Sequence, residues 1–155
     1  MFRQRPTELF FKEAVRRNVG IIVRVPLASG LLTGKYKLNT HFGEGDHRHF
    51  NREGAAFDKG ETFSGIHYET GLQAVEELKA LFPGYENLAP WALKWILRFP
   101  EVSCIIPGAS KIEQVSSNLS TFDLPEFTAA QMEGIDTIYE KYICLLYTSP
   151  SPRDS

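Results

Sequence analysis

One stretch constrains the fold more than any other. Val102-Ser103-Cys104-Ile105-Ile106 is a short, β-branched, largely apolar run; Pro107-Gly108 breaks it, and Ser110-Lys111 opens a segment from Ile112 to Asn118 with helical character. The pattern reads as a buried strand, a tight turn and a helix that Ser110 is placed to cap. Such a junction gathers the unpaired N–H groups of a first helical turn at the positive end of the helix dipole, which suits a phosphate. Lys111 adds a mobile positive charge. Any strand-to-helix unit has a similar junction, so a purely structural role stays open on these residues alone.

A second run, Ile21-Ile22-Val23-Arg24-Val25, is continuous and β-branched, as a parallel strand buried on both faces should be. Before it, Thr7 is placed to cap a helix with Phe10, Phe11, Ala14 and Val15 on its inner side, ending at Asn18 to Gly20. From Tyr68 to Phe82 apolar residues recur at helical spacing until Pro83-Gly84, and Ala89 to Phe99 forms another helix with Pro90 in its first turn and Trp91 and Trp95 turned to the core. Thr128 and Gln131 make a capping box for a last helix, which carries Met132, Ile135, Ile138, Tyr139 and Tyr142 on one face. Helix and strand alternate, so the fold class is α/β.

Between Lys35 and about residue 66 the periodicity fails, and a loop of that length in a compact domain is usually functional or disordered. Phe42, Phe50 and Phe57 either line a pocket or pin the loop to the body of the protein. His41, His47 and His49 lie near Glu44 and Asp46, but their spacing fits no tight metal-site template, and no metal ligand is assigned.

At 155 residues, with 43% hydrophobic and 23% charged residues, the composition is that of one globular domain. A net charge of −2 gives no electrostatic case for nucleic acid or an anionic membrane as partner. No apolar run approaches the roughly 18 residues of a membrane span, and the opening residues lack a signal-peptide core, so the expected location is cytoplasmic. Cys104, in an expected buried strand, and Cys144 suggest neither a disulfide framework nor a metal site.

The wording Ile105-Ile106-Pro107-Gly108-Ala109-Ser110-Lys111, with Glu113-Gln114-Val115 and Asn118, resembles the cofactor-binding segment at the last strand and helix of the aldo-keto reductase family. Val25 to Lys35 resembles the loop after the seventh strand of the same barrel. The resemblance covers roughly residues 1 to 143 and implies the C-terminal part of a (β/α)₈ TIM barrel, incomplete because a whole one needs about 250 residues. Phe2 to Gln4 would then be the exit of an upstream strand. Residues 144–155 match the translation of a common sequencing-library transposon adaptor, so they are expected to be artefactual and disordered.

The resemblance further implies hydride transfer between NADP(H), or NAD, and a small-molecule aldehyde or ketone. Leu27, Ser29, Gly30 and Leu31 would lie against the pyrophosphate, where small side chains and free N–H groups let backbone approach phosphate. Ile106, Pro107, Gly108, Ala109, Ser110 and Lys111 would line the adenosine end, with Ser110 and Lys111 at the 2′-phosphate and Gln114 and Asn118 facing the adenine. The family's catalytic Asp, Tyr, Lys and His belong to the first half of its barrel, and Lys35, Tyr36, His41 and Tyr68 stand in the wrong order and context to replace them. Catalytic residues are therefore assigned to none of these positions. The sequence departs from the family in having Arg24 where a nicotinamide-stacking aromatic is frequent, Gln114 where Arg is frequent, and Ser117 where Glu is frequent. A non-catalytic nicotinamide-nucleotide sensor of the same fold is the alternative, and the isolated polypeptide is expected to be inactive.

Overall fold

The computed structural model describes residues 1–56 and 62–144; Phe57 and the tail expected to be artefactual, beyond Cys144, lie outside the described residues. Two short strands, β1 (Ile21–Arg24) and β2 (Val102–Ile106), pair in parallel, with Ile22 opposite Cys104, Val23 opposite Ile105 and Arg24 opposite Ile106. The helices are, in chain order, α1 (Phe10–Arg16), α2 (His47–Phe50), α3 (Tyr68–Ala80), α4 (Ala89–Leu97), α5 (Ile112–Leu119) and α6 (Ala129–Tyr142). Parallel strands need a crossover between them. Here it runs through the long loop, α3 and α4.

The core forms where α3, α4 and α6 meet the turn after β1. Phe82 stacks on Trp91 with ring centroids 4.5 Å apart, and Leu31, Leu32, Phe63, Val75, Leu78 and Ile135 are fully buried around them. Trp91 and Trp95 are core residues, as their spacing implies. α6 begins at the expected capping box: Thr128 Oγ1 accepts the Gln131 N–H, and Gln131 Oε1 accepts the Thr128 N–H at 2.9 Å. The same Gln131 donates from Nε2 to the Leu81 carbonyl, tying α6 to the end of α3. Gly134 lets the helices close, since a Cβ there would fall 2.7 Å from Leu81.

Three expectations fail for physical reasons. Thr7 caps no α-helix; its hydroxyl donates to the Gln4 carbonyl at 2.7 Å, closing a 3₁₀ turn over Arg5–Thr7, and α1 starts at Phe10. On α1 only Phe11 and Ala14 are buried, reaching Ile21 and Phe99, while Phe10 and Val15 are 57% and 61% exposed. A seven-residue helix presses one narrow ridge on the strands, and residues a further 100° round it face water.

The strands are not buried on both faces. Helices reach Ile21, Val23, Val102 and Ile105, whereas Ile22, Cys104 and Ile106 are exposed: side chains alternate along β1, and on β2 the register shift that sets Ile21 opposite Val102 but Ile22 opposite Cys104 changes the phase, so the helices cover one side only. β1 also stops one residue early, with Val25 turning to φ 50°.

Chemical denaturation distinguishes these assignments. Phe82→Ala removes a buried ring from the α3–α4 seam and is expected to cost about 3–5 kcal/mol. Phe10→Ala is expected to change stability by less than about 0.5 kcal/mol, as an exposed position should; a loss comparable to Phe82→Ala would return Phe10 to the core.

Candidate functional site

Because the two strands run in parallel, both chain segments that leave their C-terminal ends emerge on one side of the sheet. Between them lies an open cleft of about 1160 Å³. Leu27, Ser29 and Gly30 line one wall, and Ile106, Gly108, Ala109, Ser110, Lys111, Gln114 and Asn118 line the other. The structure thus brings together ten of the twelve residues expected to bind cofactor. Leu31 and Pro107 are not among the lining residues. Leu31 is fully buried against Gly71 of α3, where its side chain anchors the turn in the core.

The backbone after β1 is contorted. Val25, Ala28, Ser29 and Gly30 all have positive φ, from 50° to 90°. That conformation is rare for side chains other than glycine's and rarest for a β-branched one. Gly30 needs its missing Cβ twice over: its φ is 90°, and a side chain would collide with the Tyr36 hydroxyl.

Several N–H groups of this turn are engaged. Ala28 N–H donates to Val25, Gly30 to Leu27, Leu31 to Ala28 and Leu32 to Leu27, all within 3.0–3.2 Å. The segment closes on its own carbonyls and offers the cleft Ser29 and small side chains instead.

Ser29 is also where the long loop is fastened. Its Oγ accepts the Phe63 N–H at 3.4 Å and lies 3.5 Å from His47 Nε2, while its carbonyl accepts from the Tyr36 hydroxyl at 3.3 Å. Arg48 donates to Tyr36 Oη and grips Asp46 through Nε, at 2.8 Å to Oδ1, and through its terminal nitrogen to Oδ2. Its guanidinium lies over the Phe42 ring, 4.9 Å from the centroid. Asp46 caps α2 by accepting the Arg48 N–H at 2.9 Å. The Arg48 hydrogen bonds hold the Asp46 carboxyl down at about 2, and burial pushes the Tyr36 hydroxyl above its ordinary pKa.

Phe42 packs edge-on to Tyr36 at 5.2 Å and against Phe63 and Tyr68, so it pins the loop; neither it nor exposed Phe50 lines the cleft. Among the described residues, no group of three or more His, Cys, Asp or Glu side chains could hold a metal ion.

The loop brings into the cleft side chains to which the sequence assigned no binding role. Lys35, Tyr36, His47 and Arg48 line it together with Arg24 and Lys111, and among the described residues Glu113 brings the one carboxylate of the lining. No motif marks Arg48, and only its proximity to Asp46 and the turn residues nearby could have suggested a held guanidinium.

At the far wall, Lys111 rather than Ser110 is the N-cap of α5. Gln114 reaches back over the helix start, and its Oε1 accepts the N–H of Ser110 at 2.6 Å, the N–H of Lys111 at 3.2 Å and the Ser110 hydroxyl at 3.2 Å. Behind it, Asn87 Nδ2 donates to Ser117 Oγ at 2.8 Å and Asn87 Oδ1 accepts the Ala89 N–H, which ties α5 to the start of α4.

The Asp46–Arg48 contact has a pH signature. A carboxyl held at about 2 when folded, against about 4 in an unfolded chain, stabilises the loop fully above pH 4 and loses that contribution as pH falls through about 2. The Arg48 Nε–H resonance is expected to stay protected in NMR spectra from pH 5 to 3 and to be lost near pH 2. In Asp46→Ala it should be unprotected throughout; protection there would show that Tyr36 alone holds Arg48.

Comparison with known proteins places this geometry. The profile of the Aldo/keto reductase family matches residues 1–140. The L-glyceraldehyde 3-phosphate reductase of Escherichia coli (strain K12) is 29% identical over 119 residues, covering 77% of this chain and 33% of that protein. The aldo-keto reductase yakc of Schizosaccharomyces pombe, whose name carries NADP(+), is 27% identical over 115 residues, covering 74% of this chain and 32% of the relative. Among solved structures, the glycerol dehydrogenase of Gluconobacter oxydans superposes with a TM-score of 0.71 at 24% identity over 97% of this chain and 42% of its own. The chain spans about a third of the length of the curated relatives it matches.

Proposed function

Since this chain belongs to the aldo/keto reductase family of oxidoreductases and has the α/β architecture of part of its TIM barrel, we propose that it supplies the nucleotide-binding part of an NADP(H)-dependent carbonyl oxidoreductase. The observation that carries this reading is the cleft itself. Two segments far apart in sequence meet there, and among the described residues Arg24, Lys35, Arg48 and Lys111 line it with one carboxylate, Glu113, Arg48 being paired as well with Asp46. A cleft of that size and charge suits an extended polyanion of dinucleotide dimensions.

The residues present fit such a group in distinct ways. Ser29 and Gly30 form a wall of small side chains against which a pyrophosphate can lie closely. Arg48, aimed by Asp46 and Tyr36, would meet its charge from the loop side. Lys111 and Ser110 would meet a 2′-phosphate at the start of α5, and Asn118, half-buried on α5, would face the adenine. When bound, the reduced nicotinamide supplies the hydride for a carbonyl carbon. The side chains of this chain bind and orient; the acid that protonates the carbonyl oxygen is assigned to none of them. The substrate in this reading is a small aldehyde or ketone, and the protein acts in the cytoplasm.

Titration of the chain with NADPH, followed by nucleotide fluorescence, tests the assignment. Micromolar binding is expected, and Lys111→Ala and Arg48→Ala should each weaken it by about tenfold or more, the size of one charge-assisted hydrogen bond. Binding should also fall as salt rises, because exposed charges are screened. A folded chain that binds neither NADPH nor NADH would sink the reading.

A further inference from the structure

Ser29 stands on the cleft wall in a pairing that nucleotide binding leaves unused. Its Oγ lies 3.5 Å from His47 Nε2, and His47 Nδ1 lies 3.6 Å from Asp46 Oδ1. A hydroxyl, an imidazole and a carboxylate thus follow one another, each ring nitrogen facing one partner. Ser29 and His47 are half-buried and both line the cleft, so the row opens on the space a ligand would fill.

The surroundings set the direction in which a proton would move. Phe63 N–H can only donate, so Ser29 Oγ meets it at 3.4 Å with a lone pair, and the hydroxyl hydrogen can be given to His47 Nε2. Asp46 is an ionised acceptor, its carboxyl held down at about 2 by Arg48, and it favours a hydrogen on the ring nitrogen nearer to it, Nδ1. Nε2 is then the basic nitrogen of the ring. That is the tautomer a general base beside a hydroxyl needs. Such pairs stand loose before substrate arrives and tighten in the complex.

The backbone presents the hydroxyl in the same sense. Ser29 has φ 57°, between Ala28 at 50° and Gly30 at 90°. A strained turn with small residues on either side lifts a serine hydroxyl clear of its own chain, and strain of this kind gathers at reacting groups. Lys35 and Arg48 line the same cleft, so negative charge that develops on an oxygen there meets positive charge already in place.

We propose that Ser29 and His47 are the nucleophile and base of a second activity in this cleft, the hydrolysis of small acyl esters whose alcohol half carries an anionic group, with Asp46 positioning the base. Ser29 Oγ bonds to the acyl carbon while its proton passes to His47 Nε2. The bond from that carbon to the alcohol oxygen breaks, and the departing alcohol takes the proton. Water then adds to the acyl-serine and gives a proton to His47, which returns it to Ser29 Oγ as the carboxylic acid leaves. The cations of the cleft select the anionic alcohol half. No step uses a nucleotide, so a chain that binds no NADPH would still carry this activity.

Three measurements on the 155-residue chain test it. A fluorophosphonate, which forms an Oγ–P bond and releases fluoride, is expected to label Ser29, located by peptide mass spectrometry. His47→Gln should slow that labelling by about a hundredfold or more, the share of a general base, while His49→Gln should leave it within about twofold. Ring-nitrogen NMR should show His47 with its hydrogen on Nδ1, and Asp46→Asn should shift the ring toward the Nε2–H form. In turnover, 4-acetoxy-3-nitrobenzoate carries a carboxylate on its departing phenol and 2-nitrophenyl acetate does not. The anionic ester is expected to show the larger kcat/KM by about tenfold, the size of one charge-assisted contact.

A folded chain that the fluorophosphonate leaves unlabelled, or labels elsewhere, overturns the assignment of Ser29 without recourse to any variant. Labelling of Ser29 that His47→Gln does not slow removes His47 as the base, and an Nε2–H ring in the unsubstituted chain does the same. An unchanged ring tautomer in Asp46→Asn removes Asp46 as its positioning residue. Equal kcat/KM for the two esters overturns the anionic substrate class.

Discussion

The parallel pairing of β1 and β2 is the constraint on which the rest depends. Two strands far apart in sequence point the same way, so the segments leaving them, one closing on Gly30 and the other on Lys111, must emerge side by side. Neither segment is a binding surface alone. The pairing turns two loops into two walls, and the long crossover brings in Lys35 and Arg48 as part of the rim. Family membership follows from the match over residues 1–140, but the cleft's physical coherence comes from strand direction.

Ser29 concentrates the local cost of that arrangement. The backbone from Val25 to Gly30 holds positive φ at four residues, a conformation that persists only when its surroundings over-determine it. They do so here. Leu31 and Leu32 are fully buried just beyond, and Tyr36, His47 and Phe63 converge on Ser29 from the loop. One polar residue therefore serves the turn, the loop and the cleft wall together, which explains why a small hydroxyl side chain suits it better than a larger donor.

Much of this was legible in the sequence, because local patterns and packing agree there. α3, α4 and α6, the Thr128–Gln131 capping box, the buried Trp91 and Trp95, and the strand–turn–helix junction at Val102 to Asn118 all follow from spacing. At the cleft, sequence shows which donors a turn contains, not what they already bind. The N–H groups of Gly30 and Leu31 close on their own loop, and those of Ser110 and Lys111 are taken by Gln114. Leu31 reads as part of a motif yet sits wholly in the core. Arg48 gave no signal because its orientation is a tertiary product of Asp46, Tyr36 and the Phe42 ring.

The two tryptophans sit together on α4, each 2% exposed, and neither lines the cleft. Their rings meet Phe82, Tyr85, Phe99 and Phe127. Indole emission is quenched and shifted by water, so in this protein it monitors the aromatic seam between α3, α4 and the segment before α6. A spectroscopist thus has an optical handle on folding built into the chain and spatially separate from the ligand cleft.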